Sequence, residues 1–302
     1  MQTGVRKAIQ LYSVRDLQVP LPEVLGRVSE FGFEGVEFAD RFQEADPDVL
    51  AAALEETGLE VLGVHADLAT IEGSLAGEND LVRRCLTVGA TRLIIPHVSP
   101  RHVRTESAAR SLSLRLARLA RQLNDYGIEL GYHNSEHDFW PFLPEGATSM
   151  LDASPLPGGL STYASKGLSR AREGSPVSPL GPGGFGTLVE RVPPENFVFE
   201  LDVPKVAAAG VDPAEVIAAV PDRVSLVHLG DIDRTGRLGT PVEVPVGEGI
   251  VDVEGVLEAA AEAGVEWAVY ENELDHDPTT KLEDGASLFD RLVTPPPPNP
   301  NR

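Results

Sequence analysis

Eight times along this chain a short apolar segment gives way to polar or titratable residues, in most cases with helical sequence after it. The apolar segments are residues 7–12, 35–38, 59–64, 92–96, 128–132, 197–201, 224–227 and 267–270. Between them, apolar side chains recur at the three- and four-residue spacing of a buried helical stripe, as in Val24, Leu25 and Val28, or Leu112, Leu116, Leu119 and Leu123. Several of these stretches stop at a glycine, among them Gly32, Gly58, Gly89 and Gly127, where a left-handed residue can close the last turn. Alternation of strand and helix predicts a parallel sheet with crossover helices. Eight units predict closure into a single-domain α/β fold, a (β/α)8 TIM barrel over residues 1–294. The open doubly wound sheet is the competing arrangement, but the first strand–helix turn carries no G-x-G-x-x-G.

Two segments break the rhythm. In residues 153–187, 19 of 35 are Gly, Pro or Ser, so this stretch is read as a flexible loop insertion after the fifth strand. On a strand-to-helix connection it would sit over the mouth of the barrel as a lid, a docking segment or a plain insertion. Residues 295–302 (PPPPNPNR) read as a disordered proline-rich tail.

Composition narrows the partners. A net charge of −22 disfavours nucleic acid and anionic membrane, both of which need an excess of Lys and Arg. No run approaches the length of a membrane span, and the N-terminal MQTGVRKAIQ lacks the apolar core of a signal peptide. Cys85 is the only cysteine, which excludes an intramolecular disulfide and a thiolate metal cluster. A cytoplasmic protein acting on a small molecule is expected, as a homo-oligomer or beside a partner subunit if not alone.

The chemistry concentrates where strands end. In a parallel barrel, catalytic groups project from the C-terminal ends of the strands. The residues there are Asp16, Asp40, His65, His97, His133, Asp202, His228 and Glu271. Five of the seven histidines (His65, His97, His133, His137 and His228) fall at or just past such ends. Imidazoles mixed with carboxylates suit Mn2+, Zn2+, Co2+ or Fe2+, and suit Mg2+ less. One group from each of the last four strands gives His133, Asp202, His228 and Glu271 as a ligand set. Residues 128–139 (IELGYHNSEHDF) are the densest stretch, adding Glu136, His137 and Asp138.

Seven pieces of the chain, in order, resemble the sugar phosphate isomerase/epimerase family of xylose isomerase-like barrels. They are IQLYSVRD, FGFEGVEFAD, GYHN, FELDV, LVHLGD, PVGEGIVD and EWAVYENE. The resemblance implies a divalent ion held by the last four strand ends and a sugar, keto-sugar or cyclitol substrate. It also implies proton transfer beside a carbonyl through an enediolate. Glu271 would be both ligand and base, with the second acid/base among Glu136, His137 and Asp138 of the fifth strand's end. Around the site, His65, His97, His137, Lys205, Asp231, Arg15 and Glu248 are the candidate substrate contacts.

The chain also departs from the family pattern. Relatives read Tyr-His-Asn-His, two more residues, then Glu-Phe, where this chain has Ser135 and Asp138. Lys205 stands where many relatives have Trp, and Gly230 where they often have Lys. The metal core matches the family while the substrate-reading positions do not. A metal-dependent lyase or dehydratase on a cyclitol, dehydro-sugar or C-glycoside is therefore the runner-up to isomerase or epimerase, followed by a barrel that works only with a partner chain.

Overall fold

The computed structural model describes residues 4–145, 179–236 and 239–293. Eight parallel strands close into a barrel: β1 (Arg6–Gln10), β2 (Gly35–Phe38), β3 (Glu60–His65), β4 (Arg92–Ile95), β5 (Glu129–His133), β6 (Phe197–Asp202), β7 (Val224–Leu229) and β10 (Trp267–Tyr270). β10 closes the ring by pairing with β1 on one side and β7 on the other. An antiparallel pair, β8 (Asp231–Asp233) and β9 (Val242–Val244), rises from the end of β7.

The helices are α1 (Leu21–Glu30), α2 (Pro47–Thr57), α3 (Leu68–Leu75), α4 (Leu81–Thr87), α5 (Glu106–Asn124), α6 (Gly184–Arg191), α7 (Val203–Ala209), α8 (Pro213–Ala219), α9 (Val253–Glu262) and α10 (Pro278–Val293). They form the outer layer, and their apolar stripes bury against the strands, as α5 does with Leu112, Leu116, Leu119 and Leu123. Each fully buried leucine of this kind contributes about 1.5–3 kcal/mol. Gly58 ends α2 in the left-handed region at φ 71°, returning its N–H to the Leu54 carbonyl.

The barrel interior has two layers, and the two-residue period of a strand generates both. Ala8, Leu62, Ile94, Leu226, Trp267 and Val269 form a small apolar cluster distinct from the outer core. Gly63 and Gly131 leave room for Ile94, since a Cβ would lie 2.5 Å and 2.7 Å from its side chain. Two residues further along each strand the interior turns polar. Ala8 leads to Gln10, Gly35 to Glu37, Gly63 to His65, Gly131 to His133, Leu226 to His228 and Val269 to Glu271. The apolar layer is the floor on which the titratable side chains stand.

Several local expectations shift. The first strand stops at Gln10, because Leu11–Val14 turns into a 3-10 helix. The Gly/Pro/Ser-rich stretch does not run unbroken to residue 187. α6 begins at Gly184 and buries Phe185 and Leu188 beneath α5, giving that end of the stretch an apolar anchor. The rest of that stretch, 153–178, and the proline-rich tail lie outside the described residues. The short helices α3 and α7 and the β8–β9 pair were not foreseen, since three to eight residues carry too little periodicity to read.

Candidate functional site

Adjacent strands bring the proposed ligands together in pairs. β6 and β7 align Asp202 with His228, and β5 meets β6 with His133 beside Glu200. Asn134 then locks the top of β5 to the top of β6. Its amide donates to the Asp202 carbonyl at 3.2 Å, while its oxygen accepts from the Asp202 N–H at 2.9 Å. The Asp202 side chain splits its duties. Oδ1 accepts from the Lys205 N–H and caps α7, which leaves Oδ2 free to face the barrel axis.

The side chains of His133, His228 and Glu271 bring ligand atoms within 4.8 Å of one another there, and Asp202 approaches His133 beside them. His133 Nε2 lies 3.6 Å from Asp202 Oδ2 and 3.9 Å from Glu271 Oε2. His228 Nδ1 lies 3.0 Å from Glu271 Oε2. Asp202 Oδ2 and both ring nitrogens of His133 are buried without a hydrogen-bond partner. Buried polar atoms left unpaired cost about 1–3 kcal/mol each, so their placement fits a bound cation. The electrostatics differ from group to group: burial would lower His228, but Glu200 and Glu37 hold it well above its ordinary pKa. Burial, reinforced by the neighbouring His228, lowers the His133 pKa to about 4, so its ring offers lone pairs at neutral pH. Burial alone would raise Glu271, but His228, His133 and Lys205 lower it to about 2, and it stays a carboxylate. Burial raises Asp202 from the ordinary aspartate value.

Directly beside this set lies a second cluster of Glu37, His65, Glu200 and His228, all buried. His228 Nε2 contacts Glu37 Oε2 at 2.8 Å, and His65 Nε2 contacts Glu200 Oε2 at 2.9 Å. Burial would lower the His65 pKa, yet Glu37 and Glu200 raise it to about 10. Glu37 moves well below its ordinary value because His65 and His228 outweigh its burial. The ligand atoms of this cluster, and separately those of His133, His228 and Glu271, lie within 4.8 Å of one another, close enough to hold a metal ion. Only His228 belongs to both.

A cavity of about 490 Å3 opens above these groups, and His65, His97, His133, Lys205 and Glu271 all line it. Lys205 Nζ stands 3.6 Å from Asp202 Oδ2, and that carboxylate holds the ammonium above its ordinary pKa. His97 is lowered by burial and by His137, with its Nδ1 3.4 Å from Ser135 Oγ. Gln10, Tyr12, Asp40, Asp67 and Glu273 complete the polar rim.

Other expected site residues lie elsewhere. The Asp138 carboxylate is buried under the turn, accepting from Tyr132 Oη at 3.1 Å and from the Ser135 N–H at 2.7 Å. His137 Nε2 faces the Val98 carbonyl at 3.1 Å, and neither it nor Glu136 borders the cavity. Asp231 binds the loop after β9, since both its oxygens accept backbone N–H groups, from Ile232 and Val251 on one and from Gly247 and Gly249 on the other. Arg15 folds over the Tyr12 ring at 4.1 Å, and Glu248 is exposed on that same β9 loop. Sequence reading missed Glu37, Glu200 and Gln10 as interior groups. For the two glutamates the signal was present, since each is flanked by apolar residues within its strand, GVEF and FVFELD, whereas Gln10 ends β1.

No family model matches the chain, and no curated protein matches it by sequence. Solved structures do match along nearly the whole length. A sugar phosphate isomerase/epimerase from Parabacteroides distasonis superposes with a TM-score of 0.71 at 18% identity, over 95% of this chain and 96% of that one. An IOLI protein with a bound zinc atom gives 0.67 at 13%, over 96% and 98%. A probable 3-DHS dehydratase involved in petrobactin synthesis from Bacillus anthracis gives 0.63 at 13%, over 95% and 100%. The fold that these likenesses share with the chain is the eight-stranded parallel (β/α)8 barrel. Among the described residues no helix is long and apolar enough to cross a membrane.

Proposed function

We propose that this protein is a divalent-metal-dependent isomerase or epimerase of a sugar or keto-sugar, working in the cytoplasm. It would move a proton next to a carbonyl through an enediolate. One observation carries the reading: His133, His228 and Glu271 bring ligand atoms within 4.8 Å of one another beside a polar cavity, with the unpaired Asp202 Oδ2 3.6 Å from His133 Nε2, which supports these four as the ligand set. Two imidazoles and two carboxylates suit Mn2+, Zn2+ or Co2+ better than Mg2+. When bound, such an ion supplies Lewis-acid polarisation of a carbonyl and its neighbouring hydroxyl.

The chain's own residues do the rest. Glu271 borders the cavity as a carboxylate and accepts the carbon-bound proton. His97, exposed on the cavity wall, is the second proton-transfer group within the cavity, in place of the Glu136–Asp138 turn beneath it. Lys205 directs its ammonium at a carbonyl or hydroxyl oxygen. It is the only Lys or Arg among the described residues that line the cavity, beside Asp40, Asp67, Glu271 and Glu273. A phosphorylated substrate would need more cations than that, so an unphosphorylated sugar fits better. The dehydratase among the structural neighbours keeps elimination as a second reading of the same proton abstraction.

The test is incubation of the Mn2+-loaded protein with a panel of ketohexoses, ketopentoses and keto-cyclitols in deuterated water. An isomer carrying one deuteron beside the carbonyl, with no atoms lost, is expected. A product lighter by one water would select the elimination reading. No deuterium uptake from any member of the panel would overturn both.

A further inference from the structure

Glu37 and Glu200 occupy equivalent places in opposite halves of the barrel. In each half a glutamate on one strand precedes a histidine at the top of the next: Glu37 on β2 before His65 on β3, and Glu200 on β6 before His228 on β7. The same irregularity accompanies each pair. The β2–β3 register runs Val36↔Val61 then Glu37↔Gly63, leaving Leu62 unmatched. The β6–β7 register runs Phe199↔Val224 then Glu200↔Leu226, leaving Ser225 unmatched. An extra residue of this kind re-aims the side chains beyond it. Both histidine-bearing strands carry one just below the site.

The result is a crosswise square. Glu37 hydrogen-bonds His228 Nε2 from the far side of the barrel, with Glu200 Oε1 3.0 Å from the same nitrogen. Glu200 hydrogen-bonds His65 Nε2, with Glu37 Oε1 at 3.2 Å. The two imidazole planes are parallel to within 8°. Glu37 and His228 are fully buried, and Glu200 nearly so. Two buried carboxylates are costly unless held by donors, and an apolar pair would be the cheaper filling. With Nε2 spent on these carboxylates, the ring of His228 presents Nδ1 toward Glu271, 3.0 Å from its Oε2. Flipping it would strand two buried anions.

We propose that Glu37 and Glu200 are positioning residues that fix His228 with Nε2–H toward themselves and Nδ1 toward the ion, while His65 holds the two carboxylates in place. The proposal rests on the ion site of the preceding subsection. Carboxylates behind a ligating histidine orient the ring and strengthen it as a ligand, and losing them typically lowers metal affinity about 10–100-fold.

Co2+ binding to metal-stripped protein, followed by visible absorption and elemental analysis, tests it. Wild-type protein should bind one Co2+ per chain. Glu37→Gln and Glu200→Gln, which keep side-chain shape, should weaken binding about 10–100-fold and shift the cobalt absorption bands. In a His228→Asn background the same changes should have little further effect, because they act through that ring. Unchanged affinity and spectrum in the single variants would overturn the inference and leave the ion site standing. No cobalt in the wild type would overturn the ion site itself. Two ions per chain, one lost in His65→Asn, would overturn the inference by making the square a site of its own. Should the variants not fold, nitrogen-15 spectra of histidine-labelled, Zn2+-loaded wild type read the tautomer directly. A proton on His228 Nε2 is expected, and metal on Nε2 would refute it.

Discussion

Asn134 and Asp202 are joined by two hydrogen bonds, side chain to backbone in both directions, across the tops of neighbouring strands. This clamp sets where His133 stands relative to the Asp202 carboxylate, because each ligand is next to or within one end of it. Replacing Asn134 with Leu strands a buried N–H and a buried carbonyl, a cost of about 1–3 kcal/mol. Urea denaturation of Asn134→Leu should show that loss, and its metal affinity should fall with it. Full stability would show the clamp to be dispensable.

The metal-free protein should lose stability on acidification in a way traceable to His133. Its folded pKa of about 4 lies below the ordinary histidine value of 6.5. As pH falls from 6.5 to 4 the unfolded chain takes up a proton there and the folded chain does not, so unfolding gains. The stability is complete above the unfolded pKa and is lost through that window. Denaturation midpoints of wild type and His133→Gln should therefore converge, or cross in favour of the variant, between pH 7 and pH 4. A constant difference across the range would contradict this.

Gly131→Ala should destabilise the barrel by about 1–3 kcal/mol without touching the ligands. The added Cβ would lie 2.7 Å from Ile94 Cγ1 in the apolar floor, where six residues leave no space to yield. Thermal melting reads the effect. Pairing the change with Ile94→Val should recover part of it, since the shorter side chain relieves the contact.

Cys85 should be inert in the native state. It is fully buried in α4, and burial pushes its thiol pKa up to about 12. A disulfide reagent added at pH 8 should react only after denaturant is added, at the rate of global unfolding. Rapid labelling of folded protein would mean that α4 opens locally.

Much of this molecule is legible from its sequence, for reasons visible in particular residues. The strands were readable because a parallel barrel buries both faces, which makes segments such as Leu93–Ile95 and WAVY continuously apolar. His133, Asp202, His228 and Glu271 stood out because each terminates such a run. Glu37 and Glu200 did not, since each lies inside a strand and looks there like an exception to the pattern. Their placement depends on the unmatched residues Leu62 and Ser225, and a register shift between strands leaves no mark in either strand alone. Asp138 and Asp231 were overread for the opposite reason. A carboxylate just past a strand end can serve the turn instead of the cavity, and the hydrogen bonds that decide between these roles come from residues up to twenty positions away.

The proposed binding of one ion by His133, Asp202, His228 and Glu271 is tested most directly by anomalous X-ray scattering from crystals grown with Zn2+. A single anomalous peak is expected within about 2.0–2.2 Å of donor atoms from His133, Asp202, His228 and Glu271. A peak centred among Glu37, His65 and Glu200, or zinc found only on the surface, would be incompatible with the site described here.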